Sequence, residues 1–315
     1  MTAATLAPPT AKFRDPQVTA KGERRAAVAL GALSTLWFNT GTLCNLTCAN
    51  CYIESSPRND ALVYISAAEV REYLDEIARD ALPVEEVGFT GGEPFMNPDM
   101  LAMLADTLQR GFQALVLTNA MRPMMRHKDA LAALNAAHPG QLTIRVSLDH
   151  YGAALHDLER GRGTFETTMQ GMAWLAAEGF RINVAGRAAF GHEPEAALRQ
   201  GYALLFAERG LPLDAADPVG LMLFPEMDPA AEVPEITESC WGILGKSPDS
   251  VMCSSSRMVV RRRGAEHAVV LACTLLAYDP QFELGATLAE ASRPVPLNHP
   301  HCAKFCVLGG AACSR

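Results

Sequence analysis

The sequence predicts an α/β protein: a partial (βα)6 barrel followed by a cysteine-rich C-terminal extension. Three observations carry that reading. Short apolar runs bounded by turn residues alternate six times with helical stretches of about 10–15 residues, the pattern of parallel strands covered by helices. Six such units are too few to close an eight-strand barrel, so the sheet should stay open. Past about Glu232 the apolar runs shorten, Pro, Ser and Gly become frequent, and six of the nine cysteines appear. We therefore divide the chain into an N-terminal arm (1–32), a barrel (33–232) and the extension (233–315).

Residues 1 to about 30 mix Ala, Pro, Thr and charge, which suits a loose arm. Leu36-Trp37-Phe38 then reads as a buried first strand. Ser66-Ala67-Ala68-Glu69 is a capping box, with Glu69 reaching back to Ser66. Val70, Leu74, Ile77, Ala78 and Ala81 follow at helical spacing. Val84 to Thr90 is the second strand. Asn97-Pro98 caps and opens a helix with Leu101, Leu104 and Leu108 on one face, closed by Gly111. Strands are expected at Ala114–Asn119, Leu142–Asp149, Arg181–Arg187 and Val219–Phe224. Helices are expected between them at Lys128–Ala137, Thr164–Glu178 and Glu195–Glu208. In the extension, Met258-Val259-Val260 and Val269-Val270-Leu271 flank a turn at Gly264 and read as a hairpin.

The chemistry concentrates in cysteine. Cys44, Cys48 and Cys51 share one short loop after the first strand, spaced Cys-x3-Cys-x2-Cys. Thiolates are soft ligands suited to iron–sulfur clusters, zinc or copper(I). Three of them would leave one iron of a [4Fe–4S] cube open to a small chelating molecule. A structural zinc site with a fourth ligand from elsewhere is the competing reading, although zinc loops usually come as paired Cys-x2-4-Cys halves. In a parallel βα sheet, ligand sites form at the carboxyl ends of the strands. Gly91-Gly92-Glu93-Pro94 lies past the second strand, where two glycines let backbone approach a ligand closely and Glu93 could face a cation. Thr118 and Asn119 end the third strand and Ser147 and Asp149 the fourth. Arg187 closes the fifth, where a guanidinium could pair with a carboxylate. Leu223 and Phe224 end the sixth.

Cys-x3-Cys-x2-Cys after one strand and Gly-Gly-Glu-Pro after the next resemble the radical S-adenosylmethionine (AdoMet) superfamily, over residues from about 34 to 226. The position before the third cysteine is often aromatic in that family and is Asn50 here. The resemblance implies a [4Fe–4S] cluster on Cys44, Cys48 and Cys51, with AdoMet on its open iron. It implies that Gly91, Gly92 and Glu93 hold the AdoMet amino group, that Ser147 and Asp149 meet its ribose or methionine part or the substrate, and that Arg187 pairs with its carboxylate. His156, Arg160, Gly161 and Gly163 fall in a segment like the family's stretch after the fourth strand. Leu158 and Phe165 there look like core residues, and no chemistry is assigned to His156.

The extension resembles the SPASM and twitch auxiliary-cluster domains that follow some of these barrels. Cys253 and Cys273 would sit at the two ends of the hairpin, and Cys302, Cys306 and Cys313 follow closely spaced. Leu284-Gly285 before a helix-like Leu288-Ala289-Glu290 agrees with that likeness. It implies at least one auxiliary [4Fe–4S] cluster from this set. The set has six cysteines where a full SPASM domain commonly has seven, so His299 or His301 could complete a second cluster, and a zinc site is the alternative. Cys240, beside Trp241, reads as a buried apolar thiol.

Such an enzyme would need a reductant such as flavodoxin or ferredoxin. It would abstract hydrogen from a peptide or small-molecule substrate. The arm is too short to hold the leader-peptide-binding domain that some relatives carry. A non-catalytic iron–sulfur electron carrier or redox sensor is the other class considered. The net charge of −8 argues against a nucleic-acid partner. Arg261-Arg262-Arg263 reads as a solvated strand end or turn. No apolar stretch approaches the ~20 residues of a membrane span, and the N-terminus lacks a signal layout, so a cytoplasmic location with reduced thiols is expected.

Overall fold

The computed structural model describes residues 11–188, 193–225 and 232–310. Eleven strands and eight α-helices follow one another among them. β1 is Ala27–Val28 and β2 is Thr35–Asn39. α1 (Ala67–Arg79) leads to β3 (Glu86–Thr90), and α2 (Met100–Gln109) to β4 (Gln113–Thr118). α3 (Arg122–Met125) and α4 (Lys128–Ala137) precede β5 (Leu142–Ser147). α5 (Ala153–Arg160) and α6 (Thr164–Ala177) precede β6 (Arg181–Arg187), and α7 (Glu195–Glu208) precedes β7 (Leu221–Phe224). The remainder holds α8 (Cys240–Leu244), β8 (Ser256–Val260), β9 (Val269–Leu271), β10 (Glu283–Gly285) and β11 (Val295–Pro296).

β2 to β7 pair in sequence order and all in parallel. An order that never reverses requires every crossover to turn the same way. With the right-handed rule this stacks the helices on one face and curls the sheet towards the other. The six-unit open barrel expected from the sequence is therefore present. All five residues of β2 are buried, among them Trp37 and Phe38 at 0% exposure. Phe38 stacks on Phe89 of the neighbouring strand, with ring centroids 5.8 Å apart.

The capping box of α1 is formed: Ser66 Oγ accepts the Glu69 N–H at 3.2 Å, and the Glu69 carboxylate accepts the Ser66 N–H at 2.9 Å. Asn97 does not cap α2, which starts at Met100. Its side-chain amide instead donates to the carbonyls of Thr40 and Ile65, tying this loop to the ends of the preceding segments.

Two expectations change. The sheet does not stop at the boundary drawn at 232. β8 pairs in parallel with β2, Leu36 opposite Arg257, and β9 and β10 continue antiparallel beyond it, giving nine strands. Nor is the segment before β2 loose in its second half. Ala26 and Val28 are fully buried, and β1 pairs with β11. Arg25, its side chain at 0% exposure, forms an ion pair with Glu235. A charge buried this way needs its partner, so the pair fixes the entry of the chain against the extension. Arg261, Arg262 and Arg263 each pair with an acid, Glu69, Glu283 and Asp60 respectively.

Burial pushes the Glu235 carboxyl up, but the N–H groups of Phe13 and Ala20 and the Arg25 guanidinium outweigh it and hold the pKa below the ordinary value. A depressed carboxyl pKa contributes stability above its unfolded value, near 4.5, and loses it as pH falls. We expect Arg25→Met to cost about 3–5 kcal/mol in urea unfolding at neutral pH. The deficit should shrink as pH falls below about 4.5 and through the lower pKa of the folded carboxyl, where wild type loses the same interaction; an unchanged midpoint at neutral pH would contradict the assignment.

Candidate functional site

One open cavity lies over the carboxyl ends of the parallel strands. Its empty space, counted out to open solvent, is about 1140 Å3. Cys44, Cys48 and Cys51 share its rim with Gly91, Gly92, Ser147, Asp149 and Arg187. Thr118, Asn119 and Phe224 line it as well, whereas Glu93 and Leu223 do not.

The cysteine loop is placed by close backbone contact. Gly92 N–H donates to Gly41 O at 2.7 Å and Glu93 N–H to Leu43 O at 3.1 Å. A Cβ on Gly92 would lie 2.1 Å from Leu43 O, and one on Gly91, whose φ is +136°, 2.5 Å from Gly41 O. Side chains are excluded at both positions because the loop bearing the thiols lies directly against them. Glu93 itself points inward, at 1% exposure. Its carboxylate accepts the Thr118 hydroxyl at 2.8 Å and the N–H groups of Asn119 and Phe95 at 2.9 and 3.2 Å. Burial raises its pKa to about 7 against these bonds. Glu93 locks the loop after β3 to the end of β4 rather than offering a carboxylate to the cavity.

The second fastening was not anticipated. Glu159, at the end of α5, accepts the Asn50 N–H on one carboxylate oxygen and the Asn50 side-chain amide on the other, both at 2.8 Å. Its carbonyl accepts the Ala49 N–H, and Arg187 donates to the same carboxylate at 2.8 Å. An aromatic ring at position 50 could not make the side-chain bond, which accounts for Asn50 in this chain. Next to it Arg160 grips Asp149 with two bonds of 2.6 and 3.1 Å. Burial works against the Arg160 charge, but Asp149 and the Cys48 sulfur outweigh it and raise its pKa. α5 turns Leu158 outward, at 74% exposure, and the charged Glu159 inward. The expectation that Leu158 is core is therefore wrong. Three local bonds to the cysteine loop and one to Arg187 outweigh apolar burial at this turn. The available signal was an acid–base pair, Glu159-Arg160, closing the short segment that follows the fourth barrel strand.

The Cys44 thiol is pushed up to about 12, by burial first, and Cys48 is raised by burial while Arg160 opposes it. Backbone N–H groups of Leu46 and Ser55 point at the sulfurs of Cys44 and Cys51, 3.4 and 3.3 Å away, and at Cys44 this bond works against the upward shift. Such thiols surrender their protons to a metal rather than to water.

In the extension, Cys253, Cys273 and Cys302 are buried and near enough for Cys302 to be raised by the other two, after burial itself. Cys306 follows on the same π-helical segment, Cys302–Leu308. Cys313 lies outside the described residues. No three His, Cys, Asp or Glu side chains among the described residues converge on the position of a single ion. A cube spaces its thiolates more widely than one ion does. Cys240 is half-buried rather than fully buried, and its sulfur accepts the Thr237 N–H at 3.4 Å. His299 and His301 meet edge to face with centroids 4.6 Å apart, and the His301 backbone N–H donates to His299 Nδ1. Leu275 and Phe305 reach from this region into the cavity wall, Phe305 stacking on Phe224 at 5.4 Å.

Residues 38–201, more than half of the chain, match the family model for the radical SAM superfamily. The chain belongs to that superfamily. Membership implies an iron–sulfur cluster and AdoMet. Among curated relatives, the radical SAM chain is 33% identical over 143 residues to the antilisterial bacteriocin subtilosin biosynthesis protein AlbA of Bacillus subtilis, covering 45% of this chain and 30% of that one. It is 28% identical over 137 residues to the mycofactocin maturase MftC of Mycobacterium tuberculosis, covering 44% and 33%. The matched stretch is thus about a third of either relative. Streptococcus suis SuiB, solved bound to AdoMet, superposes with a TM-score of 0.58 at 13% identity, over 81% of this chain and 63% of that one. At that identity the likeness shows the fold. No helix among the described residues is long and apolar enough to cross a membrane.

Two substitutions test how the loop is held. Gly92→Ala should abolish most iron incorporation at the cysteine loop after anaerobic reconstitution. Gly111→Ala, at positive φ but with open space around it, should retain iron. Glu159→Ala should weaken iron retention against a chelator roughly 10-fold or more, the usual effect of removing a group that orients metal ligands. Wild-type retention would refute the fastening role.

Proposed function

We propose that the protein is a radical AdoMet enzyme with one radical-generating cluster on Cys44, Cys48 and Cys51. The carrying observation is the convergence of these three thiols with the ends of β3 to β7 on one cavity. The donor set fits a cube with one open iron: one buried and two half-buried sulfurs, two of the three aimed at by backbone N–H groups, beside space for a ligand. Cys44, Cys48 and Cys51 would hold the cluster, and the chemistry it would supply when bound is reductive cleavage of AdoMet to methionine and a radical able to take hydrogen from an unactivated C–H bond. The protein contributes placement and exclusion of water. The Gly91-Gly92 backbone would face the AdoMet amino group and Arg187 its carboxylate. Ser147 and Asp149 would border the ribose or the substrate, with Asp149 held by Arg160. Glu93 supports these contacts from behind.

We further read residues 233–315 as an extension carrying an auxiliary [4Fe–4S] cluster on Cys253, Cys273 and Cys302. Cys306 or Cys313 would serve as fourth ligand. The substrate is a peptide, supported by the maturase relatives AlbA and MftC and by the largely apolar wall of Phe224, Leu275 and Phe305. A reductant of the flavodoxin or ferredoxin class would supply the electron. No comparison favours the electron-carrier alternative.

Anaerobic reconstitution of wild type and a Cys44→Ala/Cys48→Ala/Cys51→Ala variant, with iron and 5′-deoxyadenosine measured after dithionite and AdoMet, tests this. About eight irons falling to about four, with loss of the nucleoside, is expected. Iron without any nucleoside in wild type would defeat the enzyme reading. About four irons falling to none would remove the auxiliary cluster alone.

A further inference from the structure

Arg257, on β8, is an unusual buried charge. It is 1% exposed and one of the largest fully buried side chains. Its guanidinium donates only to carbonyls: Ala291 O at 2.8 Å, Cys253 O at 2.6 Å, Ser256 O at 2.8 Å and Arg293 O at 3.4 Å. Every other buried arginine cited above faces a carboxylate: Arg25 pairs with Glu235 and Arg160 with Asp149. Among the described residues the groups whose charge Arg257 feels are the sulfurs of Cys253 and Cys273. Carbonyl dipoles satisfy its N–H groups but leave its net charge uncompensated, and an uncompensated buried cation costs several kcal/mol. Something negative belongs beside it. The sulfurs of Cys253, Cys273 and Cys302 lie together on that side. Four thiolates on a cube make a net negative group in either of its ordinary redox states.

We propose that Arg257 is the counter-charge of the auxiliary cluster, a positioning residue that raises the cluster's reduction potential and pins the Cys253 loop through the Cys253 carbonyl. This rests on the reading of the extension as a cluster site. The cation favours the reduced, more negative cube, since cluster potential follows net charge and burial. No proton transfer is needed: the charge of arginine is permanent.

The test uses the full chain with Cys44→Ala/Cys48→Ala/Cys51→Ala, so that only the extension can hold a cluster, loaded anaerobically and titrated by electron paramagnetic resonance. Arg257→Met should shift the potential negative by the equivalent of a tenfold or greater change in the reduction equilibrium, about 59 mV for one electron. Arg257→Lys, which keeps the charge but not the fork, should recover at least half of that shift. In protein labelled with [15N]arginine, pulsed spectra of the reduced cluster should show a weak 15N coupling that Arg257→Lys abolishes. An unchanged potential in Arg257→Met, or no 15N coupling, overturns the proposal while leaving the auxiliary cluster standing. If Arg257→Met does not load, the coupling in the unsubstituted position decides alone. No iron in this background overturns both the proposal and the auxiliary cluster, whereas AdoMet cleavage by wild type would show the radical site intact.

Discussion

The structure depends on backbone passing against backbone at Gly91 and Gly92. The loop after β3 and the loop after β2 touch through Gly92 N–H to Gly41 O and Glu93 N–H to Leu43 O, with no room for a Cβ at either glycine. This contact fixes where the three thiols stand relative to the strand ends. Parallel strands splay their loops outward, and two neighbouring loops share one site only if something draws them together. Here the adhesive is main-chain hydrogen bonding at the closest possible range. Glu93 reinforces it from below by linking β3's loop to Thr118 and Asn119.

A second set of forces acts from the opposite wall. Glu159 and Arg160 are adjacent on α5, yet each does separate work. Glu159 satisfies two donors of Asn50 and one of Arg187, and Arg160 holds Asp149 in a two-point contact. Charged groups buried this deeply remain charged only when paired, so the network is either complete or unfavourable. Completeness makes it rigid. The cysteine loop is thereby held from two sides, by glycine backbone and by an ionic clamp, before any cluster arrives. Preformed geometry of this kind lowers the ordering cost of binding.

The extension is part of the same sheet rather than a body appended to it. β8 lies alongside β2, and the segment around Cys302–Leu308 returns over β7 to set Phe305 on Phe224. The N-terminal segment is fastened to it through Arg25 and Glu235 and through β1 with β11. The extension therefore supplies part of the cavity wall, through Leu275 and Phe305.

Much of this was legible in the chain itself. Six alternations of apolar run and amphipathic helix determine parallel strands with crossovers, and Cys-x3-Cys-x2-Cys beside Gly-Gly-Glu determines the kind of site, because those residue types have few other uses at that spacing. Strand ends named the residues lining the cavity, Ser147, Asp149 and Arg187 among them. Tertiary structure alone decided what each charge faces. Glu93 turns inward, Leu158 outward, Glu159 towards Asn50, and Arg257 towards backbone carbonyls instead of an acid. Periodicity reports which face of an element is apolar; it carries no information about which distant donor will meet a carboxylate. That choice is made by packing, where the cost of an unpaired buried charge exceeds the preference of a single side chain.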